Sequence, residues 1–254
     1  VYWAEQGLKL FSEFRDGNVP AGYDLLRPFK EALDLVPEGV GKVYLRSDTA
    51  GYVGDLLRYC AEGKNKRFGV IKFAVGADVT EAFRQAVLEV DQTDWLTLYR
   101  YRDGERVETG QEYAEVCFVP NWAATKKDGP VYRYLAVREP LKQPALPGMD
   151  DQLALPFPTM DWGAVKYKVT GIVTNRELPG DEVIWWYRER CGRSEEAHSI
   201  MKTDLAGGKL PSGLFGANAA WWQIMILAFN LNTAMKRLVL GEGWVKRRVK
   251  SIRF

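Results

Sequence analysis

The chain of 254 residues contains a single histidine, His198, and three cysteines, Cys60, Cys117 and Cys191. With so little histidine, no Gly-x-Ser-x-Gly and no paired Cys/His arrangement, the common nucleophilic hydrolases lack their parts. The cysteines are widely separated and show neither a disulfide framework nor the CxxC spacing of a zinc site, which predicts a reducing, cytoplasmic compartment. No P-loop and no GxGxxG stands at a strand-to-helix turn, so nucleotide cofactors have no evident cradle. The longest apolar run, Ala217 to Leu227 continuing to Leu240, is broken by Gln223, Asn230, Asn232 and Lys236 and reads as a buried helix, with no membrane partner. An initiator methionine, a basic leader and a signal core are also missing. Val1 reads as already inside a strand, so the true start is expected upstream.

Charge of one sign is lacking too: 35 basic residues against 33 acidic ones leave a net charge of +2, weak grounds for nucleic-acid binding by themselves. The sum hides a local excess. Lys246, Arg247, Arg248, Lys250 and Arg253 follow Glu242 with no further acid, and form either a solvated basic tail or a phosphate contact.

What is present is globular: 46% hydrophobic residues supply enough apolar material for one large domain or two smaller ones. Tyr2 to Phe14 reads as a hairpin turning at Glu5-Gln6-Gly7. Leu25, Leu26, Phe29, Leu33 and Val36 have helical spacing over Tyr23 to Leu35, disturbed by Pro28. A short strand, Val43-Tyr44-Leu45, precedes a helix over Val53 to Ala61; a strand over Phe68 to Val75 precedes a helix capped at Asp78. Strand, helix, strand, helix is an α/β pattern. From Trp95 onward the character changes. Leu96 to Arg102, Glu112 to Val119, Tyr132 to Arg138 and Lys166 to Val173 read as strands, with Pro140 to Pro158 as a loop. After Pro179-Gly180 helices are expected over Glu182 to Arg190, Ser194 to Leu205 and Ala217 to Leu240.

Carboxylate-and-metal chemistry is what these absences leave. Asp48 directly follows an apolar strand and opens a glycine turn, where α/β folds present functional groups; it is either a metal ligand or a turn and cap aspartate. In the stretch from Tyr187 to Lys202, a helix starting at Ser194 would put Glu195, His198, Ser199 and Lys202 on one face. That face is either a site combining a carboxylate with an ammonium or a solvated surface, with Glu196 pointing elsewhere.

Tyr187-x2-Arg190 followed by Glu195-x6-Lys202 resembles the Tyr-Arg-Glu-Lys signature of DDE transposases encoded by bacterial insertion sequences. Gly213-Leu214-Phe215-Gly216-Ala217-Asn218-Ala219-Ala220-Trp221 resembles the segment that follows that signature. Leu45-Arg46-Ser47-Asp48-Thr49-Ala50-Gly51-Tyr52 resembles the family's strand with the second aspartate. The resemblance spans essentially the whole chain. Four residues separate Arg190 from Glu195 where the family usually has three, so choosing Glu195 over Glu196 rests on the spacing to Lys202. The family's first aspartate is expected upstream of Val1; Asp16, in a turn, is a poor substitute.

The resemblance implies an α/β fold with a ribonuclease H-like core, a mixed sheet flanked by helices. Residues 1–94 would be its first part without the first strand, 95–178 a β-rich insertion, and 179–254 the C-terminal helices. It implies DNA strand cleavage and transfer at insertion-sequence ends, with Asp48 and Glu195 as catalytic carboxylates holding two Mg²⁺ or Mn²⁺ ions. Hard ions prefer oxygen ligands, and phosphoryl transfer is driven by metal activation of the attacking and leaving oxygens. Tyr187, Arg190 and Lys202 would contact DNA phosphates, and tryptophans such as Trp122 would stack on a flipped base or pack the core. Terminal repeats and target DNA are the implied partners, with a homodimer on DNA. Three alternatives stay open: a nuclease with the same acids, a catalytically inactive remnant that binds DNA or oligomerises, and an unrelated α/β protein.

Overall fold

A computed structural model describes residues 1–124, 132–141, 157–191 and 193–252. In chain order the strands are β1 (Tyr2–Trp3), β2 (Leu8–Lys9), β3 (Tyr44–Ser47), β4 (Lys72–Ala77), β5 (Leu96–Arg102), β6 (Glu105–Val116), β7 (Arg133–Pro140), β8 (Thr159–Trp162) and β9 (Val165–Thr174). The helices are α1 (Leu26–Asp34), α2 (Gly54–Ala61), α3 (Glu81–Leu88), α4 (Asn121–Ala124), α5 (Gly180–Arg188), α6 (Arg193–Ser199), α7 (Phe215–Met235) and α8 (Glu242–Val245). The chain divides into two compact units, residues 41–188 and residues 1–40 with 189–254.

The unit of residues 41–188 is built on one mixed sheet of order β3-β4-β9-β7-β6-β5, with β8 added to β9. β3 and β4 are parallel, the remaining pairs antiparallel. Helices flank it. Ala74 of β4, Leu98 of β5, Leu135 of β7 and Ile172 of β9 form one buried cluster with Val183 and Ile184 of α5. On the other face Phe83 of α3 lies against the Tyr134 ring, 6.1 Å between centroids, and 3.0 Å from where a β-carbon on Gly171 would stand. The β-rich stretch makes no sheet of its own, because β9 returns to pair with β4 and the sheet runs on without a break.

The most buried charged side chain here is Arg138, 1% exposed. Its guanidinium lies 4.0 Å from the Trp95 ring centroid and 5.2 Å from those of Trp162 and Tyr167. It bonds Glu112 at 2.8 Å, so the buried charge has both a carboxylate and aromatic faces.

In the unit of residues 1–40 and 189–254, β1 and β2 pair as the expected hairpin, and Asn230 of α7 clamps it by accepting from Lys9 N and donating to Lys9 O, each at 2.9 Å. Ala197, Ile200, Met201, Met225, Ile226 and Phe229 form its core. α7 is apolar beyond that buried stripe: Ile224, Leu227 and Leu231 are about 60% exposed. No helix among the described residues is long and apolar enough to cross a membrane.

Several expectations shift. α1 begins at Leu26, which puts Pro28 in its first turn, where a missing N–H costs no helical hydrogen bond and no kink is needed. β4 begins at Lys72 instead of Phe68, because Asn65 Oδ1 accepts from the N–H groups of Arg67 and Phe68 and holds them in a turn. Asp78 does not cap α3; the cap is Thr80, whose hydroxyl accepts from Phe83 N at 3.3 Å. α5 ends at Arg188, two residues short of the expected helix, and β8 is a strand without a sequence expectation. Of the proline loop, residues 142–156 lie outside the described residues.

Candidate functional site

Asp48 stands at the C-terminal end of β3, an edge strand of the sheet that runs parallel to β4. It is the N-cap residue of a 3₁₀ turn, Thr49–Gly51, yet its side chain makes no capping hydrogen bond. The nearest hydroxyl is that of Ser47, donating to Asp48 Oδ1 at 3.4 Å. Asp48 is exposed. The cap reading of this aspartate therefore fails, and its carboxylate is turned outward with lone pairs to spare. Behind it the turn is tightly packed: a β-carbon on Gly51 would lie 2.3 Å from Ser47 Oγ.

Tyr187 is carried to the same place by α5. A β-carbon on Gly76 would lie 2.8 Å from Tyr187 Oη, 3.1 Å from Thr49 N and 3.2 Å from Thr49 Cγ2. The phenol hydroxyl and the turn that begins at Asp48 thus close over one glycine of β4. Arg46 also fastens β3 to α5, donating from Nη1 to Trp186 O at 2.8 Å. Of the five site residues expected from the sequence, Tyr187 thus stands against the turn that Asp48 opens, through Thr49.

The remaining three lie in the unit of residues 1–40 and 189–254. Arg190 Nη1 lies 4.0 Å from Glu195 Oε1, and Glu195 is 59% exposed. Glu195 also acts on His198, one helical turn on. The His198 ring is held below its ordinary pKa by burial first and the Lys9 charge next, while Glu195 opposes both. Glu196 acts elsewhere, on the buried ammonium of Lys236. The two neighbouring glutamates therefore serve different surroundings, with Glu195 on the side of the signature arginine.

The single face expected to join Glu195 to Lys202 is interrupted. α6 ends at Ser199, and Ile200–Asp204 forms a π turn, closed by Leu205 N donating to Ile200 O at 3.1 Å. Widening the turn takes Lys202 out of α-helical register with Glu195. Lys202 is exposed, and its carbonyl accepts from Gly208 N at 3.0 Å.

Trp122 packs: its ring lies 5.5 Å from that of Tyr132 and 6.1 Å from that of Tyr52, with the Arg58 guanidinium 5.7 Å from its centroid. In the basic tail Arg248 is an internal partner, bonding the buried Asp204 at 3.0 Å, and Arg247 stacks on Trp244. Arg253 lies outside the described residues.

Asp48 and Glu195 are exposed carboxylates and suit a hard cation in donor type. No group of three or more His, Cys, Asp or Glu that could hold a metal ion occurs among the described residues. No protein-family model matches the chain, and no curated protein matches it.

Proposed function

We propose that this chain carries part of a DDE-type phosphoryl-transfer site acting on DNA, in a fold of the ribonuclease H kind, as a transposase of an insertion sequence would. The observation that carries the reading is the meeting of Tyr187 Oη with the Asp48 turn over Gly76. Tyr187 and Asp48 are 139 positions apart in the sequence, and the approach of Tyr187 to Thr49, the residue after Asp48, supports the reading.

In this reading Asp48 and Glu195 would serve as ligands for divalent ions, Mg²⁺ or Mn²⁺. The ions supply activation of the attacking oxygen and stabilisation of the leaving one. Tyr187 donates its phenol hydrogen to a phosphate oxygen beside Asp48. Arg190, 4.0 Å from Glu195, adds its positive charge beside the DNA backbone. Lys202, exposed on the π turn, adds a mobile point charge to the same backbone.

The test is divalent-ion-dependent nicking and strand transfer on duplex DNA. Asp48→Asn and Glu195→Gln should each abolish both reactions. Retention of either reaction in either variant would sink the reading, and nicking without joining would assign the chain to the nucleases.

A further inference from the structure

We propose that Arg176, seated on Trp186, is a binding site for a DNA phosphodiester, a contact separate from the Tyr187, Arg190 and Lys202 positions. The Arg176 guanidinium lies 4.0 Å from the Trp186 ring centroid and 5.4 Å from that of Tyr44, and the two rings meet edge to face at 6.1 Å. Indole and phenol thus hold the planar cation in one orientation. A stacked guanidinium keeps its edge donors available, and a fixed fork suits the paired oxygens of a phosphate.

Its hydrogen bonding is incomplete. Nη1 of Arg176 is buried and has no hydrogen-bond partner among the described residues, and no carboxylate there pairs with this side chain. Arg176 as a whole is half-buried, and its charge meets no carboxylate among the described residues, so an incoming anion would be its first counter-charge. The neighbourhood is basic as well. Arg46 lies over the same indole at 4.9 Å, and Lys72 stands opposite Tyr44 on β4. Glu177, which answers Lys72 at 2.9 Å, is 89% exposed.

Position favours a nucleic-acid strand over a free anion. Tyr44 begins β3 and Asp48 follows its end, so the Arg176 cluster and the Asp48 turn mark the two ends of one strand, about 13 Å apart at about 3.3 Å per residue. A DNA strand rising about 3.4 Å per nucleotide covers that span in roughly four steps. One backbone can therefore touch Arg176 while another of its phosphates lies at Asp48.

This inference rests on the proposed function only for the identity of the ligand. The experiment is the salt dependence of binding to a fluorescein-labelled duplex, read by anisotropy for the wild-type chain, Arg176→Gln and Arg176→Lys. Arg176→Gln should weaken binding several-fold on every sequence and lower the slope of log K against log salt by about one, whereas Arg176→Lys should keep the slope. An unchanged slope and affinity in Arg176→Gln, at an unchanged melting temperature, would overturn it, as would a wild-type chain that does not bind duplex DNA. Should Arg176→Gln fail to fold, phenylglyoxal modification of the wild-type chain decides. Protection of Arg176 by duplex DNA supports the site, and equal modification with and without DNA removes it. The slope is read without metal, so a failure of the metal site leaves this result standing, and a failure here leaves the metal site untouched.

Discussion

Tyr187 Oη and Thr49 N approach the same missing β-carbon of Gly76, at 2.8 Å and 3.1 Å. The space above this glycine is filled from two sides, by a helix and by the turn that presents Asp48. Gly76→Ala should push both away, with a loss of about 1–3 kcal/mol from overpacking. Urea denaturation checks the loss. A variant as stable as the parent would mean that Tyr187 is not fixed over β4.

The carboxylate of Asp48 caps nothing, whereas the hydroxyl of Thr80 caps α3. Asp48→Ala is therefore expected to leave stability within about 0.5 kcal/mol, and Thr80→Ala to cost about 1 kcal/mol. If the aspartate variant lost as much as the threonine variant, Asp48 would be a structural residue.

Much of this was legible in the sequence, and the failures have local causes. β5 was placed to the residue, and the α/β alternation at the start and the long α7 were read correctly, because each has its hydrophobic period uninterrupted. Asp78 was mistaken for a cap because cap chemistry is shared by Asp and Thr, and backbone geometry two residues further on decides between them. The π turn after Ser199 has no sequence signal of its own; it disturbs the expected face through Lys202. Arg138 carries no signal in the sequence, since a single charge within a strand pattern looks solvated until the rings of Trp95, Trp162 and Tyr167 close around it. The approach of Tyr187 to the Asp48 turn depends on Gly76, which alone in the sequence is an unremarkable strand glycine.

Lys9 is 7% exposed, with its ammonium 5.3 Å from the Tyr2 ring, and burial lowers its pKa from 10.5 to about 8. Below pH 8 the ammonium is charged in both states, and its burial opposes folding in full. Between about pH 8 and 10.5 the folded chain has released this proton while the unfolded chain still holds it, so stability from this group rises with pH. Lys9→Met is accordingly expected to be more stable than the parent at pH 7, by on the order of 2 kcal/mol. The advantage should fade above pH 8 and vanish above pH 10.5. Paired urea melts at pH 7 and pH 10.5 test this; an advantage that grows with pH would contradict it.

The central proposal is that Asp48 and Glu195 are metal ligands, and a calorimetric Mn²⁺ titration tests it most directly. Performed on the parent, Asp48→Ala and Glu195→Ala, it should show binding that weakens at least about tenfold in each variant, a loss of about 1.4 kcal/mol or more. Binding of equal strength in all three would mean that the two acids are not metal ligands, and the DDE reading would be wrong.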